Sequence, residues 1–287
     1  MRNRITAAIV IAVMTMGILP QLASGYQPLG SKSLGGPIGD STPRGSSYML
    51  VDNHGGSWSD AEKSPNNSED DLMCWAAAAS NVLEWTGWGK VGGMSNTDQM
   101  FGYFQNHWTD QGGLMEYGWD WWFDGTNPSQ GWFGWSQVDV AGGDFHPTEN
   151  FSNYYYEQSN NSLTMGAVDS YLRAGHGTTL AVYWETGGGH AITCWGYNYN
   201  PNDSDDYYGV WVTDSDDDKG DSTPEDELRY YDVEYDALAG KWYLQDFYGY
   251  GSQDVFIGSV QALKTPEPAT MTVLALGGLA LLRRRRK

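Results

Sequence analysis

Asp70-Asp71-Leu72-Met73-Cys74-Trp75-Ala76-Ala77-Ala78-Ala79-Ser80-Asn81-Val82-Leu83-Glu84-Trp85 places a cysteine at the opening of a helix. Ala76, Ala79 and Leu83 recur at i, i+3 and i+7, and Gly87 and Gly89 stop the run. Four consecutive alanines let another element approach closely. A thiol at a helix N-terminus feels the positive end of the backbone dipole, which favours the thiolate. The unpaired N–H groups there can also stabilise an oxyanion on a carbonyl that the sulfur attacks.

Around this helix the sequence divides into two halves. A second helix is expected over residues 97–108, with Ser95 or Asn96 as its N-cap and Met100, Phe101 and Phe104 turned inward. Residues 118–125 read as a short helix or strand, and residues 162–174 as a third helix. Downstream, residues 178–184, 190–197, 207–213, 229–235, 241–246 and 254–263 carry β-branched and aromatic residues between turn signals. Helices followed by antiparallel strands give an α+β class, a helical lobe packed on a sheet lobe.

Two of these strands carry the partners a reactive thiol needs. His190 opens one strand and Asp214 follows another, across a loop of turn formers and acids at 198–206. Pairing symmetric about Asn202 would set Tyr197 opposite Tyr207 and His190 opposite Asp214. Directly opposed side chains on one sheet face lie ~5 Å apart, and a slip of one residue would part them. In that arrangement His190 takes the thiol proton of Cys74, and Asp214 fixes the ring's orientation and tautomer.

Three stretches resemble motifs of the immunoglobulin-degrading cysteine proteases of streptococci (the IdeS or Mac family). They are residues 70–79 around the cysteine, His190-Ala191-Ile192-Thr193-Cys194-Trp195-Gly196 around the histidine, and Val212-Thr213-Asp214-Ser215-Asp216 around the acid. Asp120-Trp121-Trp122-Phe123 resembles a further family segment. The resemblance implies a papain-like fold, with the Cys helix in a helical lobe and His and Asp on an antiparallel sheet lobe. It implies Cys74 as nucleophile, His190 as base, Asp214 as orienting acid and Asp216 as a supporting acid. Trp58-Ser59-Asp60-Ala61-Glu62-Lys63 resembles the stretch that brings a lysine to the oxyanion site, although Lys63 stands one residue further from the cysteine. Trp75 replaces the family's glycine after the nucleophile, so specificity for antibodies is not inherited.

The chain ends carry addresses. Arg2 and Arg4 precede an apolar stretch to Leu22 and the small residues Ala23, Ser24 and Gly25, the pattern of a signal peptide over 1–25. Residues 26–57 form a Gly/Ser/Pro-rich arm, and 58–264 the expected peptidase domain. Residues 265–287 hold Pro266-Glu267-Pro268, an apolar run from Met271 to Leu282 and a terminal Arg283–Arg286 cluster with Lys287. This resembles the PEP-CTERM sorting signal. It implies export across the cytoplasmic membrane of a Gram-negative-type bacterium, processing by an exosortase-type enzyme and delivery to the cell surface or matrix. The apolar run is shorter than the ~20 residues of a spanning helix, so contact with the membrane through the terminal segments is expected to be transient.

The net charge is −20, and setting aside the seven terminal cations leaves nine basic residues against 36 acidic ones. Nucleic acid is therefore an unsuitable partner, since binding it needs clustered Lys and Arg. The expected partner is a protein or peptide substrate, and the chemistry calls for no cofactor or metal. Competing readings are a Cys74–Cys194 disulfide, usual in an exported chain, and calcium on the acidic run at 214–218. A third is a catalytically silent surface or matrix protein gripping glycans through Trp119, Trp121, Trp122, Trp132 and Trp135.

Overall fold

The computed structural model describes residues 45–64, 69–125, 142–217 and 226–266. The expected signal peptide, the arm up to residue 44, Trp132, Trp135, Asp218 and the sorting segment beyond Pro266 lie outside the described residues.

Four helices fall close to the stretches read as helical or as helix or strand, and a fifth, short one forms at 50–54, within the stretch read as an extended arm. α1 spans Leu50–His54, α2 Cys74–Thr86, α3 Thr97–His107, α4 Met115–Asp124 and α5 Thr164–Arg173. Gly87, in the left-handed region at φ 83°, closes α2 by donating its N–H to the carbonyls of Leu83 and Glu84. Asn96 caps α3 through its side chain, which accepts the Gln99 N–H. Residues 118–125 resolve as the greater part of α4, and Trp119, Trp121 and Trp122 on it are fully buried. These three rings are core.

The strands are β1 (Ser46–Met49), β2 (Tyr155–Gln158), β3 (Gly177–Trp184), β4 (Gly189–Asn200), β5 (Asp203–Thr213), β6 (Arg229–Asp236), β7 (Lys241–Leu244) and β8 (Val255–Leu263). Their pairing corrects the expected architecture. The order β4-β3-β8-β7-β6-β5 returns to β4, because β4 and β5 also pair. Six strands thus close into an antiparallel barrel, with β1 added beside β4 and β2 beside β8. A papain-like helical lobe set against a sheet lobe is not what this chain builds. Closure requires β8, the last of the described strands, to insert between β3 and β7, a long-range pairing that strand periodicity does not encode. It leaves the six barrel strands no free edge.

The helices do not form a lobe of their own either. One apolar cluster draws on all six barrel strands, including Leu180, Ile192, Val210, Tyr231, Leu244 and Ile257, and is the barrel interior, joined by Val168 and Leu172 of α5. The other cluster, the alanines of α2 with Phe104, Trp119 and Trp122, takes Ala181, Ala191 and Leu263 from the outer face of β3, β4 and β8. The alanine face of α2 therefore lies against the outside of the barrel. At Gly177 the approach is close enough that a Cβ would meet Val82 Cγ1 at 2.7 Å. Asn81 pins the helix to the β4–β5 hairpin. Its Nδ2 donates to Thr193 Oγ1 at 3.0 Å and Thr213 Oγ1 at 3.4 Å, while its Oδ1 accepts from Ala61 N and Thr97 Oγ1. With Asn81 buried, each of these bonds is shielded from competing water.

Candidate active site

Cys74 is the first residue of α2 and is half-buried; the turn before it is braced from three sides. Asp70 Oδ2 accepts from Ser64 N and Gln105 Nε2, the Asp70 carbonyl accepts the Met73 N–H, and Asp110 Oδ1 accepts the Leu72 N–H. These bonds fix the start of the helix and so the direction in which the sulfur points. Cys74 and Cys194 are both free thiols. Cys194 is buried in the barrel interior, where burial raises its pKa to about 12, so it behaves as a small apolar residue.

His190 and Asp214 meet. The Nε2–H of His190 donates to Asp214 Oδ1 at 2.6 Å, with both side chains almost fully buried. They meet in a different register from the symmetric one. Thr193 pairs with Thr213, where symmetry about Asn202 would give Ala191, and Tyr197 pairs with Val210 rather than Tyr207. Next to the site the offset is two residues, an even number, so His190 and Asp214 keep a common face and become diagonal neighbours. The register irregularity between Cys194 and Gly196 absorbs the odd residue.

The electrostatics join these two residues to the sulfur. Burial works against ionising Cys74, but His190, through its charge and a hydrogen bond, then Lys63 and the Ala191 N–H, bring its pKa below the ordinary thiol value. Burial likewise works against a charged His190, yet Asp214 and Cys74 hold its pKa well above that of a free imidazole. Burial would raise the pKa of Asp214, and the His190 charge and hydrogen bond, Tyr248 and the Asp216 N–H together lower it. With Nε2 committed to Asp214, Nδ1 is the nitrogen left to face Cys74. Both shifts move the pair toward thiolate and imidazolium, backed by a carboxylate.

Asp216 and Lys63 complete the surround. Asp216 Oδ2 lies 3.7 Å from His190 Nδ1, and its Oδ1 is 2.7 Å from Lys63 Nζ. Lys63 Nζ also donates to the Asp71 carbonyl at 2.6 Å, so the ammonium ties the turn before Cys74 to the acid loop. Residues 59–63 run beside 213–217, joined by Thr213 Oγ1 to the Ser59 carbonyl and by Lys63 N–H to the Ser215 carbonyl. All five residues singled out in the sequence are brought to one place.

Tyr248 escapes the sequence reading. Its hydroxyl donates to Asp214 Oδ2 at 2.6 Å and lies 3.4 Å from His190 Nε2. It follows β7 in a one-turn 3₁₀ segment, Phe247–Gly249, and both Asp246 (φ 54°) and Tyr248 (φ 52°) occupy the left-handed region. That conformation is costly for a tyrosine. It turns the phenol back onto a carboxylate 34 residues earlier in the chain, and no local pattern announces it. Burial and the neighbouring Asp214 charge raise its pKa above the ordinary phenol value, which keeps it a donor. Tyr248→Phe is expected to destabilise the fold by ~1.5–3 kcal/mol, the worth of one charge-assisted bond to the Asp214 carboxylate. Urea unfolding of the variant beside the parent reads the loss.

Asp60, Glu62 and Asp217 form an acidic group next to this site, with candidate ligand atoms within 4.8 Å of one another. Asp217 is also paired with Arg229 at 2.9 Å, and Asp60 accepts the Glu227 N–H.

Comparison with known proteins bears on the tail. Residues 264–287 match the PEP-CTERM protein-sorting motif. A comparison with curated proteins found no match for the chain. The motif marks the chain for export and for surface or extracellular sorting in Gram-negative-type bacteria, with recognition by an exosortase at its C-terminus.

Proposed function

We propose that this exported, surface-sorted chain is a cysteine peptidase. The observation that carries the reading is the unbroken chain Asp214–His190–Cys74, ending on a helix N-terminus. The Cys74 thiolate attacks a peptide carbonyl, and a C–S bond forms as the carbonyl oxygen takes the negative charge. First-turn amides of α2 and the nearby Lys63 charge favour that oxyanion. Collapse breaks the C–N bond, and the imidazolium of His190 gives its Nδ1 proton to the departing amine. Water then attacks the thioester, His190 takes a proton from it, and release of the carboxylic acid restores the thiolate. Asp214 steers the ring and stabilises its cation throughout; Asp216 and Tyr248 steer the pair.

The motif resemblance to the streptococcal immunoglobulin-degrading proteases supports the same roles, without the fold attached to it. Trp75 is wholly buried, its Nε1 donating to the Gln111 carbonyl at 2.8 Å, so it belongs to the core beside Cys74 and offers no surface for antibody recognition. A silent glycan-binding role has no observation in its favour among the described residues, where Trp119, Trp121 and Trp122 expose no ring. The test is incubation of the full chain with an unfolded protein, with fragments identified by mass spectrometry. Cleavage that disappears in Cys74→Ala supports the proposal. Undiminished cleavage in that variant, or none by the parent chain, overturns it.

A further inference from the structure

The last strand and the catalytic helix fix where the sorting tail leaves the molecule relative to Cys74. Lys264, directly after β8, is held on both sides: its N–H donates to the Tyr154 carbonyl and its carbonyl accepts from Trp88 Nε1, each at 2.8 Å. Only Thr265 and Pro266 separate it from Glu267 of the sorting motif. Trp88 stands two residues beyond the C-terminal end of α2, whereas Cys74 opens the helix. The twelve helical steps from Cys74 to Thr86, at a rise of 1.5 Å each, put the two ends of α2 ~18 Å apart.

The sheet gives the same separation independently. Leu263 pairs with Gly177 at the start of β3, while Gly189, next to His190, pairs with Tyr183 near its end. Six residues of strand span ~20 Å. Chain exit and candidate site therefore lie at opposite ends of the α2–β3–β4–β8 unit. The tether is short as well. Residues 265–270, including Pro266 and Pro268, are all that precede the apolar run from Met271 to Leu282, and six residues reach at most ~20 Å.

We infer that the end bearing Trp88, Tyr154 and Lys264 is turned toward the bilayer that receives the tail, and that the Cys74–His190 mouth is turned away. The bilayer is thus the partner of that end, and the site stands open to large substrates while the tail is still attached. The inference uses only the position of Cys74 and holds whatever reaction the thiol performs, so its failure is separable from failure of the peptidase reading.

The experiment places the full chain in vesicles of phosphatidylethanolamine and phosphatidylglycerol containing a lipid with a nitroxide on its headgroup. A small fluorophore is attached either to Cys74 or, in a Cys74→Ala background, to Lys90→Cys; Lys90 is exposed, and Cys194 is too buried to label. Quenching is expected to be several-fold stronger at Lys90→Cys than at Cys74. Equal quenching at the two positions, stronger quenching at Cys74, or none at either in vesicle-bound protein overturns the inference.

Discussion

A His190→Ala variant is expected to hydrolyse peptides at least ~10⁴-fold more slowly than the parent chain, because it loses both the thiolate's counter-ion and the donor to the leaving amine. In the parent, the imidazolium lies between Cys74 and Asp214 and draws both toward their ionised forms. Without it the sulfur reverts to a half-buried thiol at a helix terminus, and the attack that begins catalysis has little thiolate to draw on. Asp214 keeps the Tyr248 hydroxyl and the Asp216 N–H as donors. The buried carboxylate still loses its cationic partner, so rates are to be compared per folded molecule, with circular dichroism as the check. A variant within tenfold of the parent would show that another group handles the protons.

Asp214→Asn has the second largest expected effect, a fall in turnover of ~10³–10⁴ of the kind met when the orienting carboxylate of a triad becomes an amide. The amide keeps the shape, but it neither stabilises the imidazolium nor imposes the tautomer that turns Nδ1 to the sulfur. Asp214→Ala is a less informative substitution. It leaves His190, the Tyr248 hydroxyl and the Asp216 N–H without their shared acceptor in a buried site, a cost of ~3–5 kcal/mol. Stability should report the same carboxylate. The pKa of Asp214 is depressed by folding, so its contribution is present above the ordinary carboxylate range and is lost as pH falls through the folded value. Acid titration of urea unfolding should accordingly show a shallower loss in Asp214→Asn than in the parent. Equal slopes would place the ionised acid elsewhere, with Asp216 next in position.

The candidate site was more legible in sequence than the fold that carries it. Cys74 is readable because helix period, alanine face and glycine stop are local signals. His190 and Asp214 are readable because a hairpin conserves face parity, so a wrong register still brought them together when the error was two residues. Barrel closure was not legible. It depends on where β8 inserts, and its sequence, Val255–Leu263, would suit an edge strand of an open sheet equally well. Tyr248 was hidden for a different reason. Residues 241–246 read as one strand, whereas β7 ends at Leu244 and the chain then bends through two left-handed residues that are not glycine. Such a bend is imposed by tertiary contacts and not by propensity, as expected where a backbone serves a site.

The proposed chemistry needs Cys74 to be ionised by its neighbours, and the rate of its alkylation by iodoacetamide as a function of pH tests this most directly. Mass mapping confines the reading to Cys74, since Cys194 is buried and titrates only at about 12. The rate is expected to rise and level off at lower pH than that of a model thiol, with that displacement lost in His190→Ala. A rate that climbs through the ordinary thiol range toward pH 9 and is indifferent to His190 would contradict it.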